Sequence, residues 1–166
     1  MIGIIYGALV AWAQTDIKKL VAYSSVSHLG FCVLGFAAFS VVSLSGSIFQ
    51  MLSHGISTGA LFLIVGVLYE RRHTREISEF GGLAAKVPVF AFLFLIFTLS
   101  SIALPLTSGF VGEFMIMAGS FKVVPVYAAI AVSGVVLGAV YMLTLYLRSM
   151  FGELDEKKNG ALWDVT

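Results

Sequence analysis

The chain has 166 residues, 59% of them apolar and only 11% charged, against roughly 45–50% and about 25% in an ordinary globular domain; a core of this size cannot hide so much apolar surface, which excludes a water-soluble fold. Disorder needs low hydrophobicity and high charge, so it is excluded as well. Ten Lys and Arg against nine Asp and Glu leave a net charge of +1, without the basic stripe that neutralises phosphates, so nucleic acid is not a partner.

What remains is an all-α, polytopic transmembrane helix bundle with the lipid bilayer as its solvent, and its spans are sought as charge-free runs of about 20 mostly apolar residues. Residues 2–13 are apolar, yet they make only about 18 Å of helix, roughly half the hydrocarbon thickness. Ala11-Trp12-Ala13 mimics a signal-peptide cleavage site, but the basic start of a signal peptide is missing. The expectation is a truncated span, with the chain beginning in mid-helix. Residues 17–39 follow, with Asp16, Lys18 and Lys19 crowded at one end; residues 47–69 are uncharged and close on Glu70, Arg71 and Arg72. The run 87–121 is too long for one tilted helix and too short for two full spans. Pro105 lacks the N–H that would continue a helix, and Thr107, Ser108 and Gly109 follow it; a break near Leu104 and a restart near Gly109 are expected, dividing the run into 87–104 and 109–121. Broken helices are tolerated at membrane depth where they are buried in protein or line a hydrated cavity, as in transporters. Residues 124–147 form the last span, which stops at Arg148. The transmembrane region is thus expected over residues 1–150, with a polar extramembrane tail over 151–166.

Charge decides how often 87–121 crosses. A single crossing puts Lys18, Lys19, Arg71, Arg72, Arg75, Lys86, Arg148, Lys157 and Lys158 on one side and only Lys122 on the other. Two short helices in a hairpin would divide the cations seven to three, so the positive-inside tendency favours one broken helix, with the basic side in the cytoplasm or its equivalent.

Ionisable groups within apolar spans are costly and mark proton or ion paths. Three stand out: His28, His54 and Glu113. Glu113 lies four residues into the half-helix expected to restart at Gly109. A helix N-terminus supports an ionised carboxylate while apolar surroundings favour the neutral acid, and this opposition suits a group that loads and releases a proton. His28 follows the hydroxyl-rich Ser24-Ser25-Val26-Ser27, and His54 lies in Gln50-Met51-Leu52-Ser53-His54-Gly55, ahead of a Gly55/Gly59 spacing that permits close helix packing. Imidazole titrates near neutrality and can relay protons. The separations of these three residues lack any compact metal-ligand spacing, so no metal is expected. The single cysteine, Cys32, allows neither a disulfide framework nor a cysteine metal cluster, and the chain has no phosphate-cradling glycine loop or nucleophile elbow.

Read together, Gln14-Thr15-Asp16-Ile17-Lys18-Lys19-Leu20-Val21-Ala22-Tyr23-Ser24-Ser25-Val26-Ser27-His28-Leu29-Gly30 resembles the signature stretch of the antiporter-like membrane subunits of respiratory complex I, the NADH:quinone oxidoreductase. Tyr69-Glu70-Arg71-Arg72-His73-Thr74-Arg75 and Ser108-Gly109-Phe110-Val111-Gly112-Glu113-Phe114 follow in the family's order, and the first of these is most similar to the NuoM-type chains, equivalent to mitochondrial subunit 4. The resemblance covers essentially the whole chain and implies a C-terminal-half fragment of a larger antiporter-like fold. It further implies a proton-translocating role driven by NADH oxidation and quinone reduction in neighbouring membrane-arm subunits, with no cofactor in this chain; NADH, flavin, iron–sulfur clusters and quinone would belong to partner subunits. By motif position, Glu113 matches the family's carboxylate in the discontinuous helix, and His28 and His54 match its histidines near the central axis. The family's channel lysines lie upstream of the region matched here, and Lys18 and Lys19, at a helix end, do not correspond to them. Leu106 stands where many relatives carry a small residue. Subunits of multi-subunit sodium/proton antiporters and of membrane-bound energy-converting hydrogenases share the same expected fold, and a structural membrane anchor is disfavoured by the cost of an interior Glu113.

Overall fold

A computed structural model describes residues 1–160 and 162–164. Among them are eight α-helices: α1 (Ile2–Trp12), α2 (Ile17–Ala38), α3 (Val41–Arg72), α4 (Leu83–Lys86), α5 (Pro88–Ser101), α6 (Ser108–Phe121), α7 (Pro125–Met150) and α8 (Glu156–Asn159). Helices α2, α3 and α7 are each long and apolar enough to cross a membrane.

Local chemistry sets the helix ends. Asp16 caps α2 by accepting the Lys19 N–H at 3.0 Å. At the far end Phe39 turns left-handed (φ 51°), and Ser40 at once starts α3 through a reciprocal capping box with Ser43. The loop expected before residue 47 is therefore a tight turn, and α3 begins at Val41. It runs for 32 residues to Arg72, about 48 Å, which exceeds the roughly 30 Å hydrocarbon core.

The break in 87–121 is present, displaced from its expected bounds. Helix α5 stops at Ser101 and α6 starts at Ser108. Between them Ala103 (φ 54°) and Leu106 (φ 83°) are left-handed, and Leu104, which precedes Pro105, is disfavoured from the α conformation. The helix thus ends one turn before the proline. Gly109 lies in the first turn of α6 against the Ser100 carbonyl, where a Cβ would collide.

The two half-helices run in the same direction along the bundle. Each has 14 residues, about 21 Å, and both run antiparallel along the same partner, α3. A Cβ on Gly119 would lie 2.5 Å from the Ser43 nitrogen, Gly112 sits against Gln50, and the Ser53 hydroxyl donates to that of Ser108 at 2.7 Å. Further along α3, Ile56 and Ser57 share a small cavity with Ile96, Phe97 and Ser100 of α5. Beyond it the 162–164 segment ties the end of α3 to the start of α5: Arg71 donates to the Trp163 carbonyl, and Asp164 accepts the N–H groups of Val89 (2.8 Å) and Phe90 (2.9 Å).

The connections gather the cations. The 13–16 and 73–87 links meet through Ile17 N–H to Arg75 O (2.9 Å) and Ile77 N–H to Thr15 O (2.8 Å). The segment after α7 joins the same end, with Lys158 Nζ 3.1 Å from Glu79 Oε2 and the Gly82 N–H donating to Phe151 O at 3.1 Å. Lys122 lies at the opposite end, beyond α6. The nine other cations thus belong to one end of the bundle and Lys122 to the other.

Two apolar clusters fill the bundle. One, towards the cationic end, includes Leu20, Leu61, Leu68, Phe90, Phe94 and Leu145; the other includes Ile4, Phe31, Leu34 and Ile116. Along α2 the polar residues Ser24, Ser27 and His28 fall between these clusters and are themselves buried.

Candidate functional site

Four helices bring side chains into this polar layer. His28 lies near the middle of α2, Gln50 and His54 one turn apart on α3, Glu113 on α6 and Tyr141 on α7. All but His54 are at least nine-tenths buried, with Glu113 at 2% and His28 at 4% relative exposure; His54 is half-buried.

The centre is a direct pair, with His28 Nδ1 2.9 Å from Glu113 Oε1. Gln50 Nε2 donates to the same carboxyl oxygen at 3.2 Å, while Gln50 Oε1 has no protein partner among the described residues. On the other edge of the imidazole, His28 Nε2 lies 3.4 Å from the Tyr141 hydroxyl. The His28 and His54 rings stand with centroids 5.4 Å apart at 42°, and the Thr58 hydroxyl is 3.2 Å from His54 Nδ1. The result is a polar row, Thr58–His54–His28–Glu113–Gln50, hydrogen-bonded from Thr58 to His54 and from His28 through Glu113 to Gln50, with the two histidines joined by ring contact and Tyr141 as a branch from His28.

The three residues singled out from sequence converge, but not all in mutual contact: Glu113 touches His28, and His54 reaches the pair through the His28 ring. Glu113 is the sixth residue of α6, beyond the first turn within which a helix dipole acts strongly. Its polar partners are consequently side chains of α2 and α3 rather than the helix N-terminus. Of the serines before His28, Ser27 binds across helices, donating to Ile4 O at 2.8 Å, and Ser24 bonds back to Val21 O at 2.7 Å. A Cβ added at Gly55 or Gly59 would meet none of the described residues within 4 Å; close packing falls to Gly112 instead. Among the described residues no three of His, Cys, Asp and Glu come close enough to hold a metal ion.

Sequence reading gave no role to three of these residues, Gln50, Thr58 and Tyr141. Gln50, His54 and Thr58 recur every four residues and so share one face of α3, a spacing that nominates Thr58 once His54 is suspected. Tyr141 is one of six tyrosines with no local signal, and only the packing of α7 against α2 selects it.

A buried acid paired with a histidine beside a broken transmembrane helix defines an antiporter-like membrane protein. The family model described as the transmembrane part of NADH:quinone oxidoreductase and Mrp antiporters matches residues 1–138, and the chain belongs to this family of integral membrane proteins. It is 56% identical over 154 residues to the NADH-quinone oxidoreductase subunit M of Rickettsia typhi, a match covering 93% of this chain and 31% of the relative. A chain of the respiratory complex I structure from Thermus thermophilus with bound NADH superposes with a TM-score of 0.92 at 38% identity, over 99% of this chain and 34% of that one. The Mrp complex from Dietzia sp. DQ12-45-1b is more distant, with a TM-score of 0.85 at 30% identity over 91% of this chain and 28% of that one. The chain spans about a third of the length of the curated relatives it matches.

Proposed function

We propose that this chain forms part of a proton-translocating membrane subunit of NADH:quinone oxidoreductase, conducting protons through its buried Glu/His axis while electron transfer proceeds in other subunits. The observation that carries this reading is the 2.9 Å His28–Glu113 pair, set at the junction of a broken helix with two full spans. The higher identity to subunit M chains than to the Mrp chain supports complex I over a sodium/proton antiporter or an energy-converting hydrogenase. NADH, flavin, iron–sulfur clusters and quinone would then be held by partner subunits of the membrane and peripheral arms. The setting would be a bacterial plasma membrane or an equivalent energy-transducing membrane.

The side chains suit a relay. With Glu113 ionised, His28 donates from Nδ1 to Oε1 and Nε2 is free to accept from Tyr141; with Glu113 protonated, the carboxylic acid donates to Nδ1 and Nε2–H points to the phenol oxygen. One heavy-atom arrangement serves both states, so a proton passes without large side-chain movement. Gln50 donates to the same carboxyl oxygen and holds it in place beside His28. With His28 doubly protonated against an ionised Glu113, a second protonated imidazole at His54, 5.4 Å away, would repel it by about 3 kcal/mol at an effective dielectric of about 20, which favours passage of the Nδ1 proton to Glu113 and leaves His28 neutral.

Glu113→Gln keeps the shape and removes the titratable proton, whereas Glu113→Asp keeps the acid and withdraws it by one methylene. In a membrane-potential assay on the complete complex, Gln should abolish most coupled pumping, Asp should retain a substantial part, and His54→Ala should cost less than full loss. A native gel controls for assembly. Normal assembly with undiminished pumping by Glu113→Gln would reduce Glu113 to a packing residue and end this reading.

A further inference from the structure

We propose that the outer face of α3, at the cationic end of the bundle, binds an anionic phospholipid of the leaflet on that side, its phosphate held by Lys18 and Arg75. Lys18, Tyr69 and Arg75 open a cavity of about 380 Å³ whose remaining wall is Phe62, Val65 and Gly66. Phe62, Val65, Gly66 and Tyr69 follow the i, i+3, i+4, i+7 spacing of one helix face. The cavity therefore has a long axis, with Phe62 about 10 Å deeper along α3 than Tyr69.

Its outer end suits a phosphodiester. The Arg75 guanidinium stands over the Tyr69 ring, 5.1 Å from the centroid, and meets Asp16 through Nε alone, at 3.8 Å. Lys18, exposed in the first turn of α2, enters no ion pair among the described residues. Two cations and no carboxylate thus line the cavity. Tyr69 adds an amphipathic ring of the kind that settles at the headgroup level. Basic pockets between helices on the cationic side of a membrane take anionic headgroups, which that leaflet supplies.

The inner end suits the tail. A Cβ on Gly66 would meet none of the described residues within 4 Å, and the same holds at Gly59 and Gly55. All three glycines are exposed and share the face of Phe62, so the cavity runs on as a shallow trough from Gly66 to Gly55. That is eleven residues of α3, about 16 Å, close to half of the roughly 30 Å hydrocarbon core. A lipid with its phosphate at Lys18 and Arg75 has one leaflet's depth of trough for an acyl chain. A transmembrane helix seated on the same glycines would instead bury both cations without a counter-charge, which is costly.

Photolabelling of the complete membrane complex in phosphatidylcholine vesicles tests the site. A phosphatidylglycerol with a diazirine midway along one acyl chain should label residues 55–69 at least tenfold more than a phosphatidylcholine with the same chains, and plain phosphatidylglycerol should compete. Lys18→Gln combined with Arg75→Gln should lower this labelling roughly 25-fold, about fivefold for each cation. Lys18→Gln alone disturbs no ion pair and should show the fivefold part if the double variant fails to assemble. Gly66→Leu fills the trough, keeps both cations and should assemble normally on a native gel while labelling falls at least tenfold. Equal labelling by the two lipids overturns the headgroup site, and loss of labelling to millimolar inorganic phosphate assigns the cations to a free anion and overturns the lipid. Absence of labelling by either lipid means that protein covers this face, and undiminished labelling in Gly66→Leu puts the chain elsewhere; each overturns the proposal. None of these readouts depends on pumping, so the proton-transfer reading stands or falls separately.

Discussion

Gln50 shows how much a neutral side chain contributes to a buried acid. It donates to Glu113 Oε1 at 3.2 Å while its own carbonyl oxygen goes without a protein partner among the described residues. Hydrogen bonds to charged groups are worth about 1.5–3 kcal/mol, so removing this donor deprives the buried carboxyl of one of its polar contacts and should impair its exchange of a proton with His28. Gln50→Met conserves shape and also relieves the unpartnered oxygen, which favours intact folding. The expected outcome is a several-fold loss of coupled pumping with normal assembly, smaller than the loss in Glu113→Gln. Unchanged pumping in an assembled Gln50→Met complex would show that His28 alone sustains the carboxylate. At this scale sequence reading singled out Glu113, His28 and His54, because an ionisable side chain stands out against an apolar background, and the structure brings the three together. Neutral Gln50, Thr58 and Tyr141 carry no such contrast.

The decisive element contact joins α3 to α6. Gly112 presents bare backbone to Gln50, and a Cβ there would lie 2.8 Å from Gln50 Cβ and 2.9 Å from its Cα. Those atoms belong to a helix that cannot swing aside. Gly112→Val should therefore push α6 from α3 and lengthen the Glu113–Gln50 and Glu113–His28 contacts, at an overpacking cost of about 1–3 kcal/mol. A native gel and thermal melting of the complex should show poorer assembly or a lower midpoint; parent-like values for both would mean that the two helices are less closely fitted than described. The existence of the break was legible from Pro105 and the small polar residues after it. Its bounds were not, because the left-handed turns at Ala103 and Leu106 depend on how α5 and α6 each lie against α3.

For the whole molecule, the connections assign 73–87 and the segment after α7 to one end and Lys122 to the other. Cysteines replacing Thr74 and Lys157 should react with an impermeant thiol reagent from the same side of oriented vesicles, and a cysteine at Lys122 from the opposite side. Labelling of the Thr74 and Lys157 positions from opposite sides would mean that 87–121 crosses twice. The segment following α7 is also more than a loose tail: Leu162 joins the larger apolar cluster, and Asn159 Nδ2 donates to Glu79 O at 3.3 Å. Its polar composition concealed this, since one leucine and a few capping contacts have no periodicity to read.

The amino-acid sequence alone determined the apolar spans, the broken helix, the cationic face and the three ionisable residues at membrane depth, because each is a property of composition along the chain that the bilayer selects directly. Only the tertiary structure decided which face of each helix turns inward. In hydrocarbon both faces of a span are apolar, so hydrophobic periodicity does not set its rotation. That rotation comes instead from close approach at small residues such as Gly112 and from the polar contacts of buried groups. These bring His28 to Glu113 across 85 residues of sequence and Tyr141 to His28 across 113.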